Sequence, residues 1–393
     1  MKIISVVGAR PNFMKIAPFI KAIDSYNAHL LPLDAELVEA SPLIVHVLVH
    51  TGQHYDDQMS KAFFQQLGIP EADINLGIGS GSHAEQVGRT MIEFEKVLQS
   101  QKPDWVVVVG DVNATLACSV TAKKEGIKCC HIEAGLRSGD MAMPEEINRL
   151  VTDRLSDLLL TPDTMAVENL QKEGVPASKI KFVGNIMIDT LVQHIEIAKK
   201  YTTSQILNEN ILDKSCPIPS FADEHFGVLT LHRPSNVDDK DILTNLIDFV
   251  CDKSNQGLVI IWPIHPRTHK RLGEFNLLNK IKATPNLILT QPLGYLEMLR
   301  LNMGAKIMLT DSGGLQEECT VLGTPCLTMR WNTERPITLT EHGGASVLVG
   351  NNIERISKEF EIALEKKRMP HRPELWDGHT AERCLREIVE FRI

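Results

Sequence analysis

No stretch of this 393-residue chain is apolar over anything near the roughly 20 residues that a membrane span needs. The opening MKIISVVGAR carries one lysine and a short apolar run before Gly8, which reads as a first β-strand rather than a secretory leader. No Cys-x-x-Cys pair occurs among the eight cysteines, so no zinc or redox motif is expected. They read as reduced core residues of a cytoplasmic protein, and no metal site is expected. An excess of positive charge is missing too. Lys and Arg number 41 against 50 Asp and Glu, a formal charge of −9 that argues against nucleic acid or an anionic membrane surface as partner. Internal repeats and low-complexity tracts are absent. What remains is an ordinary globular composition, 43% hydrophobic and 23% charged, on a chain long enough for two domains. An acidic protein that binds phosphate must supply positive potential locally, so Arg, Lys and His beside glycine turns draw interest.

Short apolar runs alternate with helical periodicity along the whole chain. Strands are expected at 3–7, 44–49, 105–109, 127–132, 157–160 and 180–183, then at 227–231, 257–262, 286–289, 305–310, 325–328 and 345–349. Helices are expected between them, including 14–26, 57–67, 113–125, 145–156, 186–200, 239–252 and 314–322. The strands are continuously rather than alternately apolar. That means burial on both faces, hence parallel sheets covered by helices. Two such sets predict an α/β protein of two Rossmann-like domains. The first would span 1–200 and the second 201–377, with a linker in or just before the aperiodic 201–224 and a last helix, within 378–393, returning to the first domain.

Ligands of open parallel sheets bind where the strands end. The richest strand end is Thr310-Asp311-Ser312-Gly313-Gly314. Two glycines entering a helix let the backbone approach a ligand, and free N–H groups with the helix dipole suit a phosphate. Glu317 and Glu318, expected on the first helical turn, would accept hydrogen bonds from sugar hydroxyls. Together they suggest a holder for a nucleotide with a ribose. After strand one, Arg10 and Lys15 flank a helix start and are placed to meet an anion. Asp111, Glu133 and either Glu145 or Glu146 also follow strand ends or open a helix. Clustered carboxylates raise one another's pKa by repulsion and burial, which yields an acid or base near neutral pH. Plainer readings exist for each. Asp111 would cap the helix near Asn113, Glu145 would pair with Arg149 four residues on, and Glu133 would hold Arg137. His232 and His265 end two further strands, where a histidine can donate to phosphate or move a proton.

In order along the chain stand Gly8-Ala9-Arg10-Pro11, Thr51-Gly52-Gln53-His54, Gly110-Asp111, His131-Ile132-Glu133-Ala134-Gly135-Leu136-Arg137, Pro144-Glu145-Glu146-Ile147-Asn148-Arg149, Val183-Gly184-Asn185, His232-Arg233, Pro263-Ile264-His265, Asp311-Ser312-Gly313-Gly314-Leu315-Gln316-Glu317-Glu318 and Glu334-Arg335-Pro336. This set resembles the non-hydrolysing UDP-N-acetylglucosamine 2-epimerases. The resemblance implies a GT-B-like pair of domains with parallel sheets facing a central cleft, UDP-N-acetylglucosamine and UDP as ligands, no cofactor, and a homodimer. It assigns Asp111, Glu133 and Glu145 to acid/base work at C2 and His232 to the departing diphosphate. Ser312, Gly313 and Gly314 would cradle that diphosphate and Glu318 the ribose. Arg10, Lys15, His265 and Arg335 would line the nucleotide and phosphate region, and Leu293 and Met298 belong to the segment facing uracil. Asp56 stands where many bacterial members use a glutamine to bind an activating UDP-sugar, and a carboxylate disfavours such an anion. The alternatives are an epimerase of a UDP-2,3-diacetamido sugar or its uronate, a hydrolysing epimerase, a GT-B glycosyltransferase and an inactive UDP-sugar sensor.

Overall fold

The computed structural model describes residues 1–30, 43–52, 68–214, 218–219, 221–223 and 225–391, the side chain of Arg10 apart. The expected helix at 57–67, with Gln53, His54 and Asp56, lies outside the described residues. The chain divides into two compact units, Met1–Val192 with Pro373–Ile393, and Gln193–Arg372. Among the described residues no helix is long and apolar enough to cross a membrane.

The first unit holds β1 (Lys2–Val7), β2 (Val45–His50), β3 (Ile74–Asn75), β4 (Trp105–Val109), β5 (Lys128–Ile132), β6 (Leu158–Thr161) and β7 (Ile180–Phe182). They form one sheet in the order β3-β2-β1-β4-β5-β6-β7, and all pairs are parallel. All five residues of β4 are buried, as its continuous apolar sequence requires. One face packs Ile4, Val6, Val106 and Val108 against Phe94, Leu98 and Cys118 from two helices. Strand order reverses between β1 and β4, so the ends of these two strands flank the crevice where such sheets take ligands.

The final helix, Thr380–Glu390, buries Ala381, Cys384, Leu385 and Ile388 along one stripe and packs on helix Arg10–Leu30. Its N-terminal residue His379 offers no side-chain cap. Asp189 substitutes, accepting N–H groups from Thr380 at 3.0 Å and Ala381 at 2.7 Å. Trp376, 1% exposed, donates its indole N–H to the Pro162 carbonyl.

The second unit holds β8 (Phe226–Thr230), β9 (Val259–Pro263), β10 (Leu287–Thr290), β11 (Ile307–Thr310), β12 (Cys326–Thr328) and β13 (Ser346–Leu348). Their order is β10-β9-β8-β11-β12-β13, again wholly parallel, with the reversal between β8 and β11. Cores lie on both faces: Leu229, Ile260, Trp262 and Leu309 on one, Val228, Ile261, Met308 and Cys326 on the other.

Within 201–224 the structure contains a helix, Thr203–Asn210, opened by a capping box in which Thr202 and Gln205 bond each other's backbone N–H. Ile206 and Leu207 are buried on it, and Ile211 then bridges to Thr290 beside β10. Two turns are too short for the apolar period to show; the Thr-x-x-Gln pair was the available signal. Strand β3, two residues long, was likewise not anticipated.

Candidate active site

At the first unit's reversal point, β1 feeds helix Arg10–Leu30 through Gly8 and Ala9. Asn12, 1% exposed, fixes this entry. Its Oδ1 accepts the N–H groups of Gly8 and Ala9, and its Nδ2 donates to the Val109 carbonyl at the end of β4. Helix geometry then carries Lys15, 5% exposed, inward, where its ammonium is ion-paired with Glu133. Lys15, expected among the phosphate-lining residues, is thus the partner of the carboxylate at the end of β5. Gly110 must be glycine: φ is +68°, and a Cβ would lie 3.0 Å from Lys15 Nζ and 3.4 Å from Glu133 Oε2. Glu133 itself has φ +76°. A left-handed non-glycine residue costs ~1–2 kcal/mol, and such strain collects at functional sites. It is held by N–H groups of Glu133 and Ala134 that both donate to the Leu160 carbonyl.

Asp111 does not cap the following helix. Val112 occupies the cap position and makes no side-chain cap bond. Instead Arg149 grips Asp111 Oδ2 with Nε at 3.0 Å and Nη2 at 2.6 Å, and its Nη1 reaches Glu146 at 2.6 Å. The expected Glu145–Arg149 pair is therefore replaced by Glu146–Arg149, three residues apart, and Arg137 goes to Asp153 and Glu173 rather than to Glu133. Burial pushes Glu146 up, but N–H groups of Ser138 and Gly139, the Ser138 hydroxyl and Arg149 bring it below the usual carboxylate range. Glu145, about 100° around the helix from Glu146, is half-buried and makes no hydrogen bond or ion pair among the described residues. The carboxylate cluster is thus interleaved with cations, not dominated by mutual repulsion. Because Gly110 and Asp111 are consecutive, the Lys15–Glu133 and Arg149–Asp111 pairs lie side by side.

At the second unit's reversal point, His232 stands two residues after β8 and Asp311 directly after β11. Asp311 is fully buried. It accepts backbone N–H groups from His232 at 2.9 Å and Arg233 at 2.8 Å and the Asn236 amide at 3.1 Å, and its Oδ1 lies 2.7 Å from His232 Nδ1. Burial raises this carboxyl, yet the His232 ring and these N–H groups hold it below the ordinary value. With Nδ1 committed to Asp311, the ring's Nε2 edge is the part left for chemistry, and the side chain is 40% exposed. No local spacing signals this pairing, since Asp311 and His232 are 79 residues apart.

The ring of His265 lies 5.7 Å from that of His232, and its Nδ1 accepts the Arg267 N–H as a helix cap. His265 and His269 stand four apart, a spacing used by metal-binding helices. Among the described residues, however, no group of three or more His, Cys, Asp or Glu side chains converges as a metal site. Ser312 opens helix Gly313–Leu322, and its N–H donates to Thr310 Oγ1. A Cβ on Gly313 would lie 2.7 Å from Arg335 Nη1 and 2.8 Å from Glu334 Oε1. Arg335, 6% exposed, is held between Glu334 and Glu317, so it backs the turn rather than lining an open surface. Leu293 and Met298 pack together against the core on one face of the sheet.

Glu317 and Glu318 fall on the second turn of their helix, not the first. Burial pushes Glu318 up to about 7; Asn302 and Tyr295 oppose this and Glu317 adds to it. Near neutral pH it is therefore poised between forms, and the ionised form accepts hydroxyl donors on both oxygens. The sign of the stability effect is definite. The group's contribution is full below its ordinary value of 4.5 and is lost as pH rises through about 7. Ionised, it costs on the order of 3 kcal/mol. Glu318→Gln is expected to flatten the fall in Tm between pH 5.5 and 8.5, raise Tm by a few degrees at pH 8, and weaken UDP binding. Parallel Tm–pH curves for the two proteins would contradict this.

Residues 36–389 match the family model described as UDP-N-acetylglucosamine 2-epimerase. The chain is 43% identical over 390 residues, 99% of each protein, to UDP-N-acetylglucosamine 2-epimerase of Methanocaldococcus jannaschii. It is 38% identical over 368 residues, 93% of each, to UDP-2,3-diacetamido-2,3-dideoxy-D-glucuronate 2-epimerase of Pseudomonas aeruginosa. Its fold matches the crystal structure of the M. jannaschii enzyme in complex with UDP-GlcNAc and UDP, at TM-score 0.84 and 42% identity over all of both chains. It also matches the Neisseria meningitidis epimerase bound to UDP-GlcNAc, at TM-score 0.81 and 27% identity, again over all of both chains. With two parallel sheets of GT-B-like type and acidic groups at the strand ends of the first, the chain belongs to the UDP-N-acetylglucosamine 2-epimerase family and is an enzyme of it.

Proposed function

We propose that the protein interconverts UDP-N-acetylglucosamine and UDP-N-acetylmannosamine by eliminating UDP and adding it back. A carboxylate of the first unit takes the proton from C2, the C1–oxygen bond breaks, and both electrons of that bond leave with UDP, giving a 2-acetamidoglucal. Return of UDP with a proton delivered to the opposite face of C2 yields the epimer. No electron is gained or lost, so no redox cofactor is required. Asp111, Glu133 and Glu145 form the acid/base set, and His232, backed by Asp311, stabilises or protonates the departing diphosphate. The 312–314 turn holds that diphosphate, Glu318 the ribose, and Leu293 and Met298 the uracil side. Two observations carry this reading: in the first unit, carboxylates interleaved with Lys15 and Arg149 at the sheet's reversal point, and in the second, an Asp–His pair beside a Ser-Gly-Gly helix start. The enzyme works as a cytoplasmic homodimer and supplies N-acetylmannosamine units for glycan synthesis.

The Pseudomonas relative favours a second reading, a diacetamido uronate substrate. Against it, Lys15 and Arg149, described cations at the first reversal point, are already paired with Glu133, Asp111 and Glu146. That arrangement suits a sugar uncharged at C6. Nuclear magnetic resonance of UDP-N-acetylglucosamine with the purified protein is expected to show a second UDP-sugar growing to an equilibrium mixture, with no free sugar and no added cofactor. An unchanged spectrum, alongside turnover of the diacetamido uronate, would transfer the assignment to the second reading.

A further inference from the structure

Beneath the first unit's acidic groups lies a charged chain outside the proposed acid/base set. His131 on β5 is fully buried, and Asp153, on helix Pro144–Leu155, is 2% exposed. His131 Nδ1 lies 2.6 Å from Asp153 Oδ1, and Nε2 lies 2.8 Å from the Gly110 carbonyl oxygen. Asp153 Oδ2 accepts the Gly135 N–H at 3.0 Å and Arg137 Nη1 at 2.7 Å; Arg137 in turn forks onto Glu173. A carbonyl only accepts, and a carboxylate already taking Arg137 and Gly135 is an acceptor as well. Each ring nitrogen of His131 therefore faces an acceptor, the setting in which both can carry hydrogens.

The attachment points matter. Gly110 immediately precedes Asp111. His131 and Gly135 bracket Glu133, whose left-handed backbone needs holding. Gly135 has no slack either, since a Cβ there would lie 2.4 Å from the Ala166 carbonyl oxygen. One ion pair thus ties the end of β4 to the turn after β5, the two places from which the proposed C2 acid/base groups hang.

We propose that His131 and Asp153 form a buried positioning pair that sets the relative placement of Asp111 and Glu133, and so governs C2 proton transfer without touching substrate. This rests on the epimerase reading above, and two measurements separate the two ideas. The first does not depend on activity. In protein labelled with ¹⁵N-histidine, His131 (assigned by its loss in His131→Gln) should show two ring N–H resonances; a single one would overturn the charged pair.

The second is kinetic. Asp153→Asn keeps the shape but offers one acceptor oxygen where the donors of His131, Arg137 and Gly135 require two. Misplacement of reacting groups on this scale lowers turnover on the order of 10²-fold. C2 exchange and kcat should fall together by that factor, while UDP affinity, assigned to the second unit, stays within about threefold. Where Asp153→Asn does not fold, His131→Gln, which retains an N–H for the Gly110 carbonyl, serves as the same test. A folded variant with kcat within threefold of wild type, or with UDP affinity lost in step with kcat, overturns the positioning role.

Discussion

Replacing Glu133 with glutamine is expected to cut C2 exchange by ~10³-fold or more while leaving UDP affinity within about twofold. General acid–base catalysis contributes roughly 10²–10⁴, and an amide cannot take a proton. The same change has a second, separable consequence. Lys15 is 5% exposed and loses its carboxylate partner. Stranding one member of a buried ion pair costs on the order of 3–5 kcal/mol, so Glu133→Gln should unfold several degrees earlier than wild type. The double variant Lys15→Met/Glu133→Gln removes the stranded charge and should recover most of that stability, yet none of the exchange. This divides the roles: stability follows the pair, chemistry follows the carboxylate. Near-normal exchange in folded Glu133→Gln would remove Glu133 from the acid/base set. Loss of UDP binding would make it a ligand-positioning residue.

The second large effect belongs to His232. His232→Ala should slow turnover by roughly 10²–10⁴, the range for loss of a general acid or of charge stabilisation at a leaving group. Stability should change little, because the side chain is 40% exposed. Asp311→Asn should reproduce much of the kinetic loss without removing the ring. Asparagine can present its amide N–H to Nδ1, which enforces the tautomer lacking a hydrogen there and leaves the ring no carboxylate to balance a positive charge. It also puts a donor where Oδ1 accepts the His232 backbone N–H at 3.2 Å, so Asp311→Asn should be the less stable variant. Turnover within threefold of wild type in His232→Ala would exclude the role at the diphosphate.

Much of the architecture was legible because parallel strands buried on both faces appear as unbroken apolar runs. Val106–Val109 and Ile307–Thr310 identify themselves, and with them the strand ends that carry Asp111, Glu133, His232 and Ser312. The pairings were not legible. Lys15 and Glu133 are 118 residues apart and Asp111 and Arg149 are 38, so no local spacing announces them. Neither expected local pair formed: Glu145 lost Arg149 to Glu146, whose carboxylate is fixed by the turn at 138–139, and Arg137 went to Asp153 and Glu173 rather than Glu133. Strand-end placement likewise favoured a repelling acidic cluster, because it brings carboxylates together without showing Lys15 and Arg149 among them. Short elements escaped for a different reason: helix Thr203–Asn210 and strand β3 are too brief for periodicity to rise above background.

In the proposed mechanism Asp111, Glu133 and Glu145 serve proton transfer at C2, and solvent deuterium reads that step directly. UDP-N-acetylglucosamine is turned over in deuterated water and the nucleotide sugars are analysed by mass spectrometry and proton resonance. Both epimers should gain one mass unit, located at C2, with UDP still attached. Turnover without deuterium at C2, or free sugar accumulating in step with turnover, would contradict elimination and re-addition by these carboxylates.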